Sequence, residues 1–477
     1  MINLTVDVAV IGAGTAGMVA YSAAKSHDKR VVLIEGGPYG TTCARVGCMP
    51  SKLLIAAADA AHAIGHAPGF GVHAGPMRID GREVMARVRA ERDRFVDFVL
   101  DGIDNIAPAD RLRGHARFIG RNSLQIDDHT VVNAGRIVIA TGSSPNLPDA
   151  LRGVGDRLIS SDDIFEWTDL PKSVAVIGTG VIGLELGQAL HRLGVRVALF
   201  GRSGKLGQLS DPAVLNAAIK CLGDELDLRL NSQVLGAERD GGQVSLRWSG
   251  ADSSERTERF DYLLAATGRA PNVSRLGLEH AGLELDAAGV PRFDPVTMQC
   301  GDSAIFIAGD ADNERPVLHE AADQGRIAGD NAGRFPDVRP GLRRTPFSIA
   351  FTDPQIAVVG QPHRVAKDQH VVIGEVSFEN QGRSRAMRQN CGVLRVYATI
   401  GSGHFIGAEM IGPRNEHLAH LLAWACQNKM TIAQMLDMPF YHPVIEEGLR
   451  TALRDAKKKL LHGLPPIDRC TDCTPGV

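Results

Sequence analysis

A chain of 477 residues is long enough for about three domains and a large core. Its 44% hydrophobic content, 53 glycines and 5% aromatics suit an ordinary α/β protein rich in glycine-dependent turns. A net charge of -3 gives no reason to expect nucleic acid or an anionic membrane as partner, and no apolar run reaches the roughly 18 residues that a bilayer span needs. A strand-like run begins at Val6 with no basic segment or cleavable apolar core before it, so the expected location is the cytoplasm. There, eight cysteines are no disulfide scaffold, and a disulfide is expected to be catalytic rather than structural.

Val6 to Ile11 reads as a buried strand, Gly12-x-Gly14-x-x-Gly17 as a turn, Met18 to Ser26 as a helix, and Val31 to Ile34 as a strand ending in Glu35. This is the βαβ dinucleotide fingerprint. Its glycines let backbone approach a pyrophosphate at a helix N-terminus, and Glu35, 23 residues after Gly12, can bind a ribose hydroxyl. Next comes Gly40-Thr41-Thr42-Cys43-Ala44-Arg45-Val46-Gly47-Cys48-Met49-Pro50-Ser51-Lys52, leading into an alanine-rich run to Ile64. Pro50 in a first helical turn puts Cys48 at a helix N-terminus, where the dipole and free amides favour a thiolate and Cys43 can reach back to form a disulfide. Lys52, four residues on, adds positive charge on the same face. The alternatives are two ordinary buried thiols or a zinc half-site, the latter weakened because no second Cys/His pair at ligand spacing accompanies it.

These thirteen residues resemble the redox-active segment of the dihydrolipoamide dehydrogenase and glutathione reductase family of flavoprotein disulfide reductases. A helical stretch over 81–106 follows, then strand-like pieces over 116–119, 123–126 and 130–133. The run 136–139 is a further buried strand closing on Ala140-Thr141-Gly142-Ser143, similar to the segment that ends the first part of that family's flavin domain. After a proline-bracketed connector the opening pattern repeats: strand 174–177, Gly178-x-Gly180-x-x-Gly183, helix 184–193, strand 195–200. Two fingerprints imply two dinucleotides, between which a hydride can pass. Where the first repeat has Glu35, the second has Gly201, followed by Arg202 and Lys205, so a 2′-phosphate is accommodated and NADPH is favoured over NADH. Glu185, a carboxylate in an apolar run, is implied by the resemblance to pair with Lys52 beside the flavin. Strands over 243–248 and 260–265 lead to Ala266-Thr267-Gly268, and strand 305–307 to Asp310, which by resemblance binds the flavin ribityl chain. Leu318 and His319 begin a helix whose amides face the ring. The resemblance also counts Ala116 and Val234 among the cofactor-binding positions.

From about Thr345 the pattern changes to strands at 355–359, 371–378, 394–399 and 405–410 and a helix near 416–427, similar to the family's interface domain. His442-Pro443 with Glu447 five residues on matches its His-Glu acid/base pair, with Glu446 as rival orienter. The resemblance places this histidine at the cysteines of the other subunit, and so implies a homodimer. The tail carries Cys470 and Cys473, loosely similar to the relay thiols of mercuric reductase and large thioredoxin reductases. The expected fold is α/β: two Rossmann-like dinucleotide-binding domains, for FAD and NAD(P), plus a C-terminal α+β dimerisation domain. Its expected division is 1–150 and 271–344 for FAD, 151–270 for NAD(P), 345–465 for the interface and 466–477 as a tail. The expected function is electron exchange between NAD(P)(H) and a small-molecule or lipoyl-domain dithiol or disulfide, most like dihydrolipoamide dehydrogenase. The rivals are an NADPH-driven reductase of another disulfide or a metal ion, and a non-catalytic flavin-binding regulator.

Overall fold

The computed structural model describes residues 1–462; Cys470, Cys473 and the expected tail lie outside them. The chain opens with β1 (Ile2–Ile11), α1 (Thr15–Lys25), β2 (Val31–Glu35), α2 (Thr42–Val46), α3 (Cys48–His66) and α4 (Gly81–Asp104). Then come β3 (Arg111–Arg113), β4 (Ala116–Gly120), β5 (Ser123–Ile126) and β6 (Thr130–Ile139). Strands β3, β2, β1 and β6 lie side by side and parallel. Val8, Val10, Leu33 and Ile34 are all buried, as in a sheet covered on both faces.

The second unit comprises β7 (Ser143–Pro145), β8 (Leu158–Ser160), β9 (Ser173–Ile177), α5 (Val181–Arg192), β10 (Arg196–Phe200), α6 (Pro212–Gly223) and β11 (Asp227–Arg229). It continues with β12 (Gln233–Asp240), β13 (Gln243–Ser249), β14 (Glu255–Phe260), β15 (Tyr262–Ala265) and β16 (Arg269–Pro271). Its parallel sheet has the order β11-β10-β9-β15-β8, beside a separate antiparallel β12-β13-β14. The single strand expected over 260–265 is therefore two strands in two sheets. Asp261 makes the corner: its carboxylate accepts from the Lys172 and Ser173 amides at 2.8 and 3.1 Å.

The chain then returns to the first sheet with β17 (Ile305–Ile307) and α7 (Leu318–Arg334). β17 lies parallel to the second half of β6, whose first half pairs antiparallel with β5. The two strands expected over 130–133 and 136–139 are thus one, because β1 pairs along the whole of it while the other edge changes partner.

The last unit has β18 (Phe347–Ala350), β19 (Gln355–Gly360), α8 (His363–Ala366), β20 (Val371–Ser377), α9 (Gly382–Ala386), β21 (Val393–Thr399) and β22 (Phe405–Gly412). It ends with α10 (Asn415–Gln427), α11 (Ile432–Leu436) and α12 (Glu446–His462). Its antiparallel sheet, β18-β19-β22-β21-β20, carries α10 and α12, while α6 reaches it from the second unit. One apolar cluster joins Leu54 and Ala58 of α3, Leu184 and Leu190 of α5, Val214 and Ala218 of α6, and Ile356 and Ile411 of the last sheet. This shared core seats α3 on α5. Among the described residues one disulfide, Cys221–Cys391, ties α6 to the turn before β21. It involves neither Cys43 nor Cys48; packing of α6 on the last sheet brings two sequence-distant thiols together.

Candidate active site

Helices α2 and α3 are separated by Gly47 alone, at φ −124° and ψ −116°. A Cβ there would stand 3.0 Å from the Thr42 carbonyl oxygen and 3.2 Å from the Cys43 Cα, so the turn is built close. It leaves Cys43 half-buried on α2 and Cys48 exposed as the first residue of α3. Both are free thiols, the dithiol form of the pair. The Cys43 thiol, hydrogen-bonding to Cys48, pulls Cys48 down to about 7; partial desolvation of the sulfur and the Glu185 charge oppose this, and the Lys52 ammonium reinforces it. Cys43 is pushed up by the same interaction and by burial.

Lys52 Nζ donates to Glu185 Oε2 at 2.7 Å and lies 4.5 Å over the Phe351 ring. The buried Glu185 carboxylate also accepts from the Phe351 amide at 2.9 Å. A carboxylate deep in α5 thus reaches the redox helix from one side and the last sheet from the other.

The glycines divide their labour by steric necessity. A Cβ at Gly12 would meet the Ala140 carbonyl oxygen at 2.3 Å, and one at Gly17 the Gly12 oxygen at 1.8 Å, whereas Gly14 faces open space. The second repeat does the same: 2.3 Å at Gly178, 2.1 Å at Gly183, and space at Gly180. Two residues of each turn pack strand to helix, and the third leaves backbone accessible to a phosphate. Glu35 accepts from the Ala13 and Gly37 amides at 2.7 and 2.6 Å, holding the first turn at the end of β2.

Around this turn, Ser143 Oγ donates to Asp310 Oδ2 at 2.7 Å and accepts from Arg269 Nε at 2.9 Å, which joins the two Ala-Thr-Gly segments. Thr141 Oγ1, His319 Nε2 and Gln324 Nε2 are buried without a partner among the described residues. His319 stacks on Phe347 with centroids 4.9 Å apart, and burial lowers its pKa. Leu318, the first residue of α7, is exposed, and Gly142 and Gly268 border open space. Orphaned buried polar atoms and glycines bordering open space, on the segments that carry the first glycine turn's partners, fit a bound flavin dinucleotide. Arg269, Gln324, Phe351 and Asp312 carry no motif of their own. Burial raises the Asp312 carboxyl to about 6. Ala116 is buried in the first sheet, and Val234 packs against the cluster of Phe200 and Trp248.

In the second unit the loop after β10 folds back on the glycine turn. Thr179 Oγ1 donates to the Lys205 carbonyl at 2.8 Å, and the Gly207 amide to the Thr179 carbonyl at 2.8 Å. Arg202 and Lys205 are exposed on that loop. Gly201 is confined: a Cβ would stand 3.0 Å from Thr179 Oγ1.

In the last unit His442 Nδ1 lies 3.0 Å from Glu447 Oε2, and Arg450 Nη2 donates to Glu447 Oε1 at 3.0 Å. The imidazole bond, first, and Arg450 hold the Glu447 carboxyl below its usual range. Of the two rival acids, Glu447 is the one bonded to the ring. The His442 side chain is 80% exposed, so the pair presents itself at a surface. Among the described residues no helix is long and apolar enough to cross a membrane.

The sequence profile described as pyridine nucleotide-disulphide oxidoreductase matches residues 6–325, and the dimerisation-domain profile of that name matches 347–453. Mercuric reductase of Shigella flexneri is 34% identical over 94% of this chain and 81% of its own length. Dihydrolipoyl dehydrogenase of Haloferax volcanii is 29% identical over 96% of this chain and 98% of its own. Among solved structures, LpdA of Mycobacterium tuberculosis superposes with a TM-score of 0.80 at 25% identity, covering 94% of this chain and 99% of its own. A Cu(II) complex of the HOCl-induced flavoprotein disulfide reductase RclA of Escherichia coli superposes with a TM-score of 0.80 at 21% identity over the same shares, a likeness of fold.

Proposed function

The chain belongs to the pyridine nucleotide-disulphide oxidoreductase family, whose members use FAD and a nicotinamide cofactor, and on that premise we propose that it passes electrons between NAD(P)(H) and a dithiol or disulfide through Cys43 and Cys48. Dihydrolipoamide is the first substrate to test. The observation that carries this reading is the His442–Glu447 hydrogen bond at 3.0 Å on an exposed face. A dithiol must lose protons to become a nucleophile, and a carboxylate-oriented imidazole can take them; reduction of a metal ion makes no such demand.

In the dithiol direction, the imidazole takes a proton from one substrate thiol. The resulting thiolate attacks Cys43 in the oxidised pair and displaces Cys48 as thiolate. The second substrate sulfur then closes the product disulfide and releases Cys43, which takes up a proton. A Cys48 pKa near 7 makes it a good leaving group at neutral pH. Bound flavin would supply the hydride exchange between this pair and the nicotinamide, held by the glycine turns, Glu35, Thr141, Ser143, Asp310 and the start of α7. The match to a dimerisation domain and the exposure of the pair support a homodimer in which His442 of the partner subunit serves Cys43.

The exposed Arg202 and Lys205 beside the second turn, with no acid at Gly201, support NADPH as the preferred coenzyme. A second reading, NADPH-driven reduction of a metal ion or another disulfide, draws on the 34% identity to mercuric reductase. His442→Asn separates the two. The proposal expects lipoamide turnover to fall about 10²–10⁴-fold, the usual worth of a general acid/base, with reduction of mercuric ion unchanged. Undiminished lipoamide turnover would contradict it.

A further inference from the structure

A second pair of sulfurs stands apart from the site above. Cys221 and Cys391, 170 residues apart, are joined with their Cα atoms 6.0 Å apart. Cys221 lies in the last turns of α6 and Cys391 in the turn before β21, so the bond ties the second Rossmann domain to the C-terminal sheet. Both residues are half-buried and form part of the wall of an open cleft of about 1020 Å³, alongside His62, His66, Arg192, Asp353 and Arg388. That volume admits a small organic molecule. The wall of the cleft runs from Ile55 and Phe351, the ring against Lys52, to His62, fourteen residues from Cys48 and about 21 Å along α3.

The two ends of α6 are fastened differently. At its N-terminus, Asp211 caps the helix and is fully buried, bonded to Arg395 Nη1 at 2.6 Å and to the Tyr397 hydroxyl at 2.9 Å. At its C-terminus the cross-link is covalent and reaches solvent. On the far side of that link the backbone is fixed. Gly392, at φ +120°, lies so close to β22 that a Cβ would stand 2.0 Å from the Ile411 carbonyl oxygen. Opening the bond therefore removes the covalent tie at the end of α6, leaving the buried Ala218 and Leu222 to hold it, while its start stays attached.

We propose that Cys221–Cys391 is a second thiol–disulfide site, opened and closed by low-molecular-weight thiols through this cleft, and that its state sets how firmly the end of α6 is held on the C-terminal sheet. A small thiolate attacks one sulfur, forming a mixed disulfide and releasing the other cysteine as thiolate. A second thiolate attacks the bound thiol's sulfur, releasing the small disulfide and the second cysteine. Two electrons pass to the protein and both cysteines take up protons. The small disulfide is the oxidant of the reverse reaction.

The test equilibrates the full-length holoenzyme in mixtures of glutathione and glutathione disulfide. Free thiols are trapped by alkylation and read by mass spectrometry, and amide hydrogen exchange is followed along α6. The expected result is that Cys221 and Cys391 open together across the series, with exchange rising several-fold in the last turn of α6 and little changed in its first. Cys221→Ser/Cys391→Ser should exchange at the opened rate in every mixture. The proposal is overturned if the two thiols stay free in the most oxidising mixture, if they stay bonded in a mixture that fully reduces Cys43 and Cys48, or if exchange in α6 is the same in both states. It also fails if the double variant still responds to the buffer.

Discussion

Cys48 becomes a thiolate near neutral pH because three effects meet at one sulfur: a donated hydrogen bond from Cys43, an ammonium one helical turn away, and the free amides of a helix N-terminus. The charged form is the deprotonated one, so any change that removes positive charge nearby must raise the pKa. Lys52→Met should therefore move the thiolate titration of the reduced protein, followed by ultraviolet absorbance, above its midpoint near 7. Glu185→Gln removes the opposing carboxylate and should move it below. Shifts of the same sign in both variants would refute the assignment of the field to this pair. Lys52→Met also strands a buried carboxylate, which should cost about 3 kcal/mol, the lower end for a broken pair because Lys52 is itself partly exposed. Cys43→Ser should keep its flavin and lose disulfide turnover; a variant that still turns over would remove Cys43 as the thiol that meets substrate.

At the scale of an element, the glycine turns make the sharpest forecast. Gly17→Ala places a methyl 1.8 Å from a carbonyl oxygen of the same turn, so it should destabilise the protein by at least the roughly 1–3 kcal/mol of an overpacked core and purify without flavin. Gly14→Ala meets nothing and should fold normally, binding flavin less tightly. Equal behaviour of the two variants in flavin content and melting would contradict the division of roles. These turns were legible from sequence because the constraint is local: a carbonyl approaches a Cα, and only glycine fits. Two further helices carry equally local signals. The Asp211-Pro212 start of α6, with Val214, Ala218 and Leu222 buried at helical spacing, carries both a cap and a period. In α12, Leu449, Leu453 and Ala456 likewise fall on one buried face. The corner at Asp261 and the fusion of β6 were not legible, since which sheet a strand joins is decided by partners far along the chain. Nor was the link of Cys221 to Cys391, because spacing alone cannot pair cysteines 170 residues apart.

The molecule as a whole is held by groups that belong to more than one domain. Glu409 is fully buried and accepts from the amides of Ser210, Asp211 and His363 at 2.7 to 2.8 Å, and from the Ser210 hydroxyl, joining the second Rossmann domain to the last sheet. Glu409→Gln turns one acceptor oxygen into a donor facing donors and should lose about 1–3 kcal/mol in denaturant unfolding. A loss below 0.5 kcal/mol, within the range of an ordinary surface substitution, would make the junction incidental. On the proposed preference for NADPH, the phosphate would be met by the loop after β10 lying on the turn before α5, and Arg202→Glu should shift preference toward NADH; an unchanged ratio removes Arg202 from the phosphate site. The His-Glu pair and the cysteines stand almost four hundred residues apart, and the proposed homodimer is what would bring them together. The most direct measurement is therefore steady-state turnover of the purified flavoprotein beside its Cys43→Ser variant. Dihydrolipoamide would be assayed with NAD or NADP, and NADH or NADPH with lipoamide, glutathione disulfide and mercuric ion. Nicotinamide-linked turnover of a dithiol or disulfide that vanishes in the variant is the predicted result. A flavin-loaded protein that turns over none of the dithiols or disulfides, or whose turnover survives loss of Cys43, would contradict the account.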